Sequence, residues 1–97
     1  MKVIPTPLKD CVILEPRVFS DERGYFYESY NSEQFRADTG ADVSFVQDNQ
    51  SYSHAGVLRG LHYQIEQAQG KLVRVVSGKV WDVAVDLRRS SPSFGQW

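Results

Sequence analysis

Lys71-Leu72-Val73-Arg74-Val75-Val76-Ser77-Gly78-Lys79-Val80-Trp81-Asp82-Val83-Ala84-Val85-Asp86-Leu87 consists of two runs of strand-forming residues around a Ser-Gly turn. β-branched and aromatic side chains suit a pleated surface, and a short Gly-containing connection between two such runs is a strong local signal for a β-hairpin. In the second run Trp81, Val83, Val85 and Leu87 point one way, and Asp82, Ala84 and Asp86 the other. The apolar side of that run is the expected core.

The same period extends outward. Val57 to Gln64 reads as a further strand, entered through the Ser53-His54-Ala55-Gly56 turn. From Val43 the alternation sets Phe45, Gln47, Asn49 and Ser51 on one face, with Val46, Asp48 and Gln50 on the other. Nearer the start, Val12-Ile13-Leu14 is a short apolar run ahead of Pro16. Ser20-Asp21-Glu22-Arg23-Gly24 reads as a turn in which Gly24 supplies a positive φ, and Tyr25 to Tyr30 as the strand pairing back across it. Asn31 is placed to cap a short helix through Asp38, with Gln34 at the third position and Gly40 beyond the end. Phe35 is its one large apolar residue, which predicts a surface helix. Residues 1–97 thus read as a single all-β domain, a barrel or a sandwich, with one short helix near 31–38.

Composition narrows the function. The 97 residues are 41% hydrophobic and 12% aromatic with a formal charge of −1, which excludes general disorder. No apolar run approaches the ~20 residues of a membrane span, and Met1-Lys2-Val3-Ile4-Pro5 has no secretory h-region, so a cytoplasmic protein is expected. A lone cysteine, Cys11, makes neither an internal disulfide nor a thiolate metal cluster. The charge balance gives no basic domain or stripe of the kind nucleic-acid binders carry. Residues 51–97 nevertheless hold six basic and three acidic groups, with Arg59, Lys71 and Arg74 close in sequence. These form either a local anion site or solvated strand charges.

His54 and His62 are the only histidines. Gly56 precedes His62 by the spacing that metal-binding cupin barrels use, but Gln64 stands where their second His falls, and Ala68 and Gln69 where their Glu falls. One His with neutral amides holds a divalent ion poorly, so the stretch resembles a cupin strand without its metal. His62, with Arg59 and Lys71 nearby in sequence, is then a candidate general base. On spacing alone, a half-buried strand histidine with one satisfied hydrogen bond is the commoner arrangement. Strict alternation puts Arg59 and His62 on opposite faces, so a shared pocket requires a bulge or twist near Gly60.

Gly56-Val57-Leu58-Arg59-Gly60-Leu61-His62-Tyr63-Gln64, Gly70-Lys71-Leu72-Val73-Arg74-Val75 and Asp82-Val83-Ala84-Val85-Asp86-Leu87-Arg88 resemble the dTDP-4-dehydrorhamnose 3,5-epimerases. So do Phe19-Ser20-Asp21-Glu22-Arg23-Gly24-Tyr25-Phe26, Phe45-Val46-Gln47-Asp48-Asn49-Gln50-Ser51 and Ser91-Pro92-Ser93-Phe94-Gly95-Gln96-Trp97. The resemblance runs through nearly the whole chain, in order.

That resemblance implies a cupin-type jelly-roll barrel, a homodimer, and an enzyme needing no metal or organic cofactor. It implies inversion at C3 and C5 of a 4-keto-6-deoxy sugar carried on thymidine diphosphate, through an enolate formed next to the C4 ketone. By motif, His62 matches the general base and Lys71 the cation near the ketone. Arg59 matches the residue holding the diphosphate. Arg23 and Glu28 match nucleotide contacts reaching in from the dimer partner, Gln47 and Asn49 a polar substrate-binding pair, and Phe19 a packing surface for thymine. Family members continue past the position of Trp97, where the resemblance places a general-acid tyrosine and a histidine-orienting aspartate, so the barrel is expected to be incomplete at the C-terminus. Two alternatives stay open: a sister enzyme acting at C3 only or C5 only, and a catalytically silent nucleotide-sugar binding or dimerisation module.

Overall fold

A computed structural model describes residues 1–97. The chain divides into two compact units, one made of Met1–Val46 with Val83–Trp97 and the other of Gln47–Asp82.

In the first unit, β1 (Lys2–Pro5) pairs antiparallel with β2 (Val12–Glu15), Val3 facing Leu14 and Ile4 facing Ile13. β2 is the apolar run expected from sequence. β1 was not expected, because Pro5 and Pro7 break its pattern; Pro5 is tolerated as the last residue of a strand in a two-stranded sheet. The connection is closed by Thr6, whose Oγ1 donates to the Cys11 carbonyl at 2.6 Å and accepts from the Leu8 amide at 3.2 Å. Leu8, 7% exposed, is the single buried hydrophobic residue.

β3 (Phe19–Asp21) and β4 (Gly24–Phe26) form the second hairpin, with Phe19 opposite Phe26 and Asp21 opposite Gly24. Only Glu22 and Arg23 lie between the paired ends, and Gly24 takes φ +137° as the tight reversal requires. β4 ends at Phe26, four residues short of the expected strand.

Helix α1 (Ser32–Thr39) follows the capping pattern. Asn31 accepts from the Gln34 amide at 3.0 Å, and Gly40, at φ +74°, donates its amide to the Arg36 carbonyl at 2.9 Å. No helix residue is fully buried. Phe35 packs edge-on against Phe45 at 5.5 Å and tilted against Tyr30 at 5.9 Å, and Tyr30 and Phe45 meet at 5.5 Å. This three-ring cluster anchors the helix.

The remaining joint in this unit is polar. Asp86 accepts from the Arg88 amide at 3.0 Å, from Arg88 Nε at 2.9 Å and from Ser93 Oγ at 2.6 Å, and Ser91 Oγ also donates to it. Arg88 in turn meets Asp10 at 2.8 Å and the Lys9 carbonyl at 2.7 Å, and the Lys9 amide donates to Ser93 Oγ at 2.9 Å.

The expected hairpin over Lys71–Leu87 and the expected strand over Val57–Gln64 form no ladder. Alternation describes the two faces of an extended segment but does not supply a partner in register, and ladder hydrogen bonds need one. Gly60 at φ +117°, Gln67 at φ +52° and Gly78 at φ +85° interrupt the extended backbone. The expected core face is also corrected. Val83 and Val85 are half-buried, Trp81 and Leu87 are exposed, and the buried residue of that run is Asp86 on the opposite face. Its burial follows from the hydrogen bonds that satisfy the carboxylate.

The secondary structure is therefore mostly strand with one short helix, and both sheets are antiparallel. No helix is long and apolar enough to cross a membrane.

Candidate functional site

In the first unit the candidate residues gather on the β3–β4 hairpin. Phe19, Ser20, Asp21, Arg23, Gly24, Tyr25 and Phe26 line an open cleft of about 490 Å³. Phe19 is half exposed, and the Arg17 guanidinium sits 4.8 Å from its ring centroid. Tyr25 stacks on Tyr27 at 6.0 Å and 16°. A cleft with aromatic walls and a cation at its turn suits a planar base carrying phosphate.

The cation is Arg23. Asp21 Oδ1 accepts its backbone amide at 2.8 Å, and Oδ2 accepts Nε at 3.1 Å together with Nη2. The guanidinium lowers the Asp21 carboxyl below its ordinary range, and the carboxylate raises the Arg23 guanidinium. Glu28 is not part of this pair; it accepts from Asn31 Nδ2 at 3.4 Å, beside the helix start.

In the second unit Gln47 and Asn49 are brought together, Gln47 Nε2 donating to Asn49 Oδ1 at 3.4 Å. Arg59 folds back onto the preceding turn, with Nε donating to Ser53 Oγ at 2.9 Å and Nη2 to the Tyr52 carbonyl at 3.0 Å. Both bonds run to neutral oxygens, so the positive charge of Arg59 is not cancelled by a carboxylate. Lys71 Nζ donates to Gln69 Oε1 at 3.4 Å, and the Gln69 amide donates to Gln64 Oε1 at 3.0 Å. Gln64, which stands at the second-histidine position of a metal-binding cupin, therefore shapes the loop that carries Lys71.

His62 is exposed and follows the break at Gly60. A Cβ at Gly60 would meet His62 Nδ1 at an ordinary contact distance of 3.8 Å, so it is the φ of +117° and not crowding that calls for glycine there. No hydrogen bond or ion pair joins Arg59, His62 and Lys71 to one another; Arg59 and Lys71 are each held by their own neighbours. No three His, Cys, Asp or Glu side chains converge in a metal-holding group.

Sequence reasoning missed the local partners: Asp21 for Arg23, Arg17 for Phe19, Ser53 for Arg59. The usable signal was an aspartate two residues ahead of an arginine in a glycine turn, an arrangement in which the carboxylate reaches the following amide.

The chain is a mainly β protein whose first unit carries an aromatic cleft and a held arginine on the β3–β4 hairpin, and whose second unit carries amide and cationic side chains, groups suited to a phosphate-bearing ligand. The sequence model of dTDP-4-dehydrorhamnose 3,5-epimerase matches residues 5–97, and the chain belongs to that family. It is 63% identical over 97 residues to the dTDP-4-dehydrorhamnose 3,5-epimerase of Pseudomonas aeruginosa, covering all of this chain and 54% of the relative. A Bacillus anthracis dTDP-4-dehydrorhamnose 3,5-epimerase crystal structure with TDP and PPi bound superposes at a TM-score of 0.91 and 52% identity, over 99% of this chain and 55% of that one. A Legionella pneumophila dTDP-6-deoxy-D-glucose-3,5-epimerase in complex with dTDP-4-keto-L-rhamnose superposes at 0.89 and 52% identity, over 96% and 50%. The chain spans about half the length of the curated relatives it matches.

Proposed function

We propose that residues 1–97 are the N-terminal portion of a cupin-type jelly-roll barrel, within a cytoplasmic homodimeric epimerase. It converts dTDP-4-dehydro-6-deoxyglucose to dTDP-4-dehydrorhamnose by inverting C3 and C5. The observation that carries this reading is the family match over residues 5–97, supported by ligand-bound relatives at 52% identity.

The chemistry fits the residues. The C4 ketone acidifies the hydrogens on C3 and C5. His62 removes one as a proton, the C–H electron pair passes into the enolate, and the new negative charge rests on the C4 oxygen. Lys71 stabilises that oxygen. Return of a proton to the opposite face restores the ketone with inverted configuration, so no electron is gained or lost and no redox partner is required. Arg59, its charge uncancelled, takes the diphosphate, and Arg23 and Glu28 reach in from the dimer partner to contact the same nucleotide, Arg23 at its phosphates. Gln47 and Asn49 act as the polar substrate-binding pair, and Phe19 packs on the thymine.

The test is direct conversion. The complete barrel, with residues 1–97 as its N-terminal portion, is incubated with dTDP-4-dehydro-6-deoxyglucose and the sugar ring is followed by proton NMR. Appearance of dTDP-4-dehydrorhamnose supports the epimerase. Binding of the nucleotide sugar without conversion assigns these residues to a binding module instead.

A further inference from the structure

The β3–β4 turn holds its arginine in an unusual way for so exposed a residue. Arg23 is 85% exposed along its side chain, yet Asp21 grips it at three donors. One carboxylate oxygen fixes the backbone of the turn by taking the Arg23 amide. The other takes the Nε and Nη2 side of the guanidinium. The Nη1 end makes no hydrogen bond, and it belongs to the edge a phosphate engages in bidentate fashion. Phe19, Tyr25 and Phe26 line the same cleft. An arginine on a flexible stem gives up rotamer freedom when it binds an anion; one already held gives up less. The carboxylate is neutralised by the arginine it holds, which limits its repulsion of an incoming phosphate.

We infer that Asp21 is a positioning residue, presenting the free edge of Arg23 to the diphosphate of a thymidine nucleotide lying against the aromatic cleft. This rests on the reading of Arg23 as a phosphate contact made under Proposed function.

The experiment is a set of NMR titrations of the full chain with dTDP and, separately, with thymidine. Asp21→Asn keeps an oxygen for the Arg23 amide and so keeps the turn, but loses the charged grip on the guanidinium. The expected result is a dTDP affinity weaker by about fivefold with thymidine binding unchanged. In the Arg23→Gln background the same substitution should have no further effect on dTDP. Unchanged or tighter dTDP binding by Asp21→Asn overturns the inference. So does equal weakening for dTDP and thymidine, or weakening that persists without Arg23, because each would assign Asp21 to the turn alone. Failure of the underlying reading looks different: Arg23→Gln itself would leave dTDP affinity intact, or the unaltered chain would not bind dTDP.

Discussion

Ser93 Oγ donates to Asp86 Oδ2 at 2.6 Å, and this bond closes a network that ties the segment ending at Gln96 to Lys9 and Asp10. Arg88 first, then Ser91 and Ser93, hold the Asp86 carboxyl far below the usual carboxylate range. A depressed carboxyl contributes stability in full above the unfolded value of about 3.9, and that contribution is lost as the pH falls toward the depressed one. Asp86→Asn should therefore lower the denaturant midpoint at pH 7, and the two proteins should converge as the pH is lowered below about 4. Urea titrations of both between pH 2.5 and 7 check this; coincident midpoints at neutral pH would show that the network contributes nothing.

The helix cap carries a second prediction. Asn31→Ala leaves the Gln34 amide without its acceptor and should destabilise α1 by about 1 kcal/mol. Backbone amide exchange read residue by residue should show the first turn of α1 opening more often, with the β1–β2 hairpin unaffected.

Phe35 joins α1 to Tyr30 and Phe45 through two ring contacts. Phe35→Ala should cost about 2 kcal/mol, below a fully buried Phe→Ala because the residue is only half-buried. Loss of helical circular dichroism at lower urea is the readout. Phe35→Leu should recover part of the loss, since it refills the volume without the edge-on geometry.

Arg59 is held by Ser53 Oγ and the Tyr52 carbonyl. Arg59→Ala should weaken dTDP binding by about tenfold or more, as loss of a charge-assisted contact does. Ser53→Ala removes one neutral bond from the same guanidinium and should weaken binding by about two- to threefold. Calorimetric titrations with dTDP compare them; an Arg59→Ala protein with normal affinity would leave Arg59 as surface charge.

Which parts of this were legible in the sequence depends on how local the causes were. Asn31, Gln34 and Gly40 form α1 through contacts within one or two turns, so helix and caps could be read directly. Gly24 likewise marked the β3–β4 turn. β1 escaped because Pro5 and Pro7 mask a strand whose existence depends on pairing with β2. The run Lys71–Leu87 failed in the other direction: its alternation is real, but pairing depends on a neighbour that alternation does not specify. The same division holds at the site. His62, Lys71, Arg59 and Arg23 were singled out by motif, whereas the side-chain contacts of Arg23, Arg59 and Lys71 come from turns whose side chains meet only in three dimensions.

The epimerase reading itself is tested most directly by solvent exchange. The complete barrel proposed to contain residues 1–97 is supplied with dTDP-4-dehydro-6-deoxyglucose in heavy water, and deuterium is located on the sugar ring by NMR. The account predicts deuterium at both C3 and C5 with this unaltered enzyme. With His62→Ala in it the account predicts none at either carbon, while dTDP affinity stays nearly the same. Retention of protium at both carbons by the unaltered enzyme would contradict the epimerase, and undiminished exchange by His62→Ala would contradict its base.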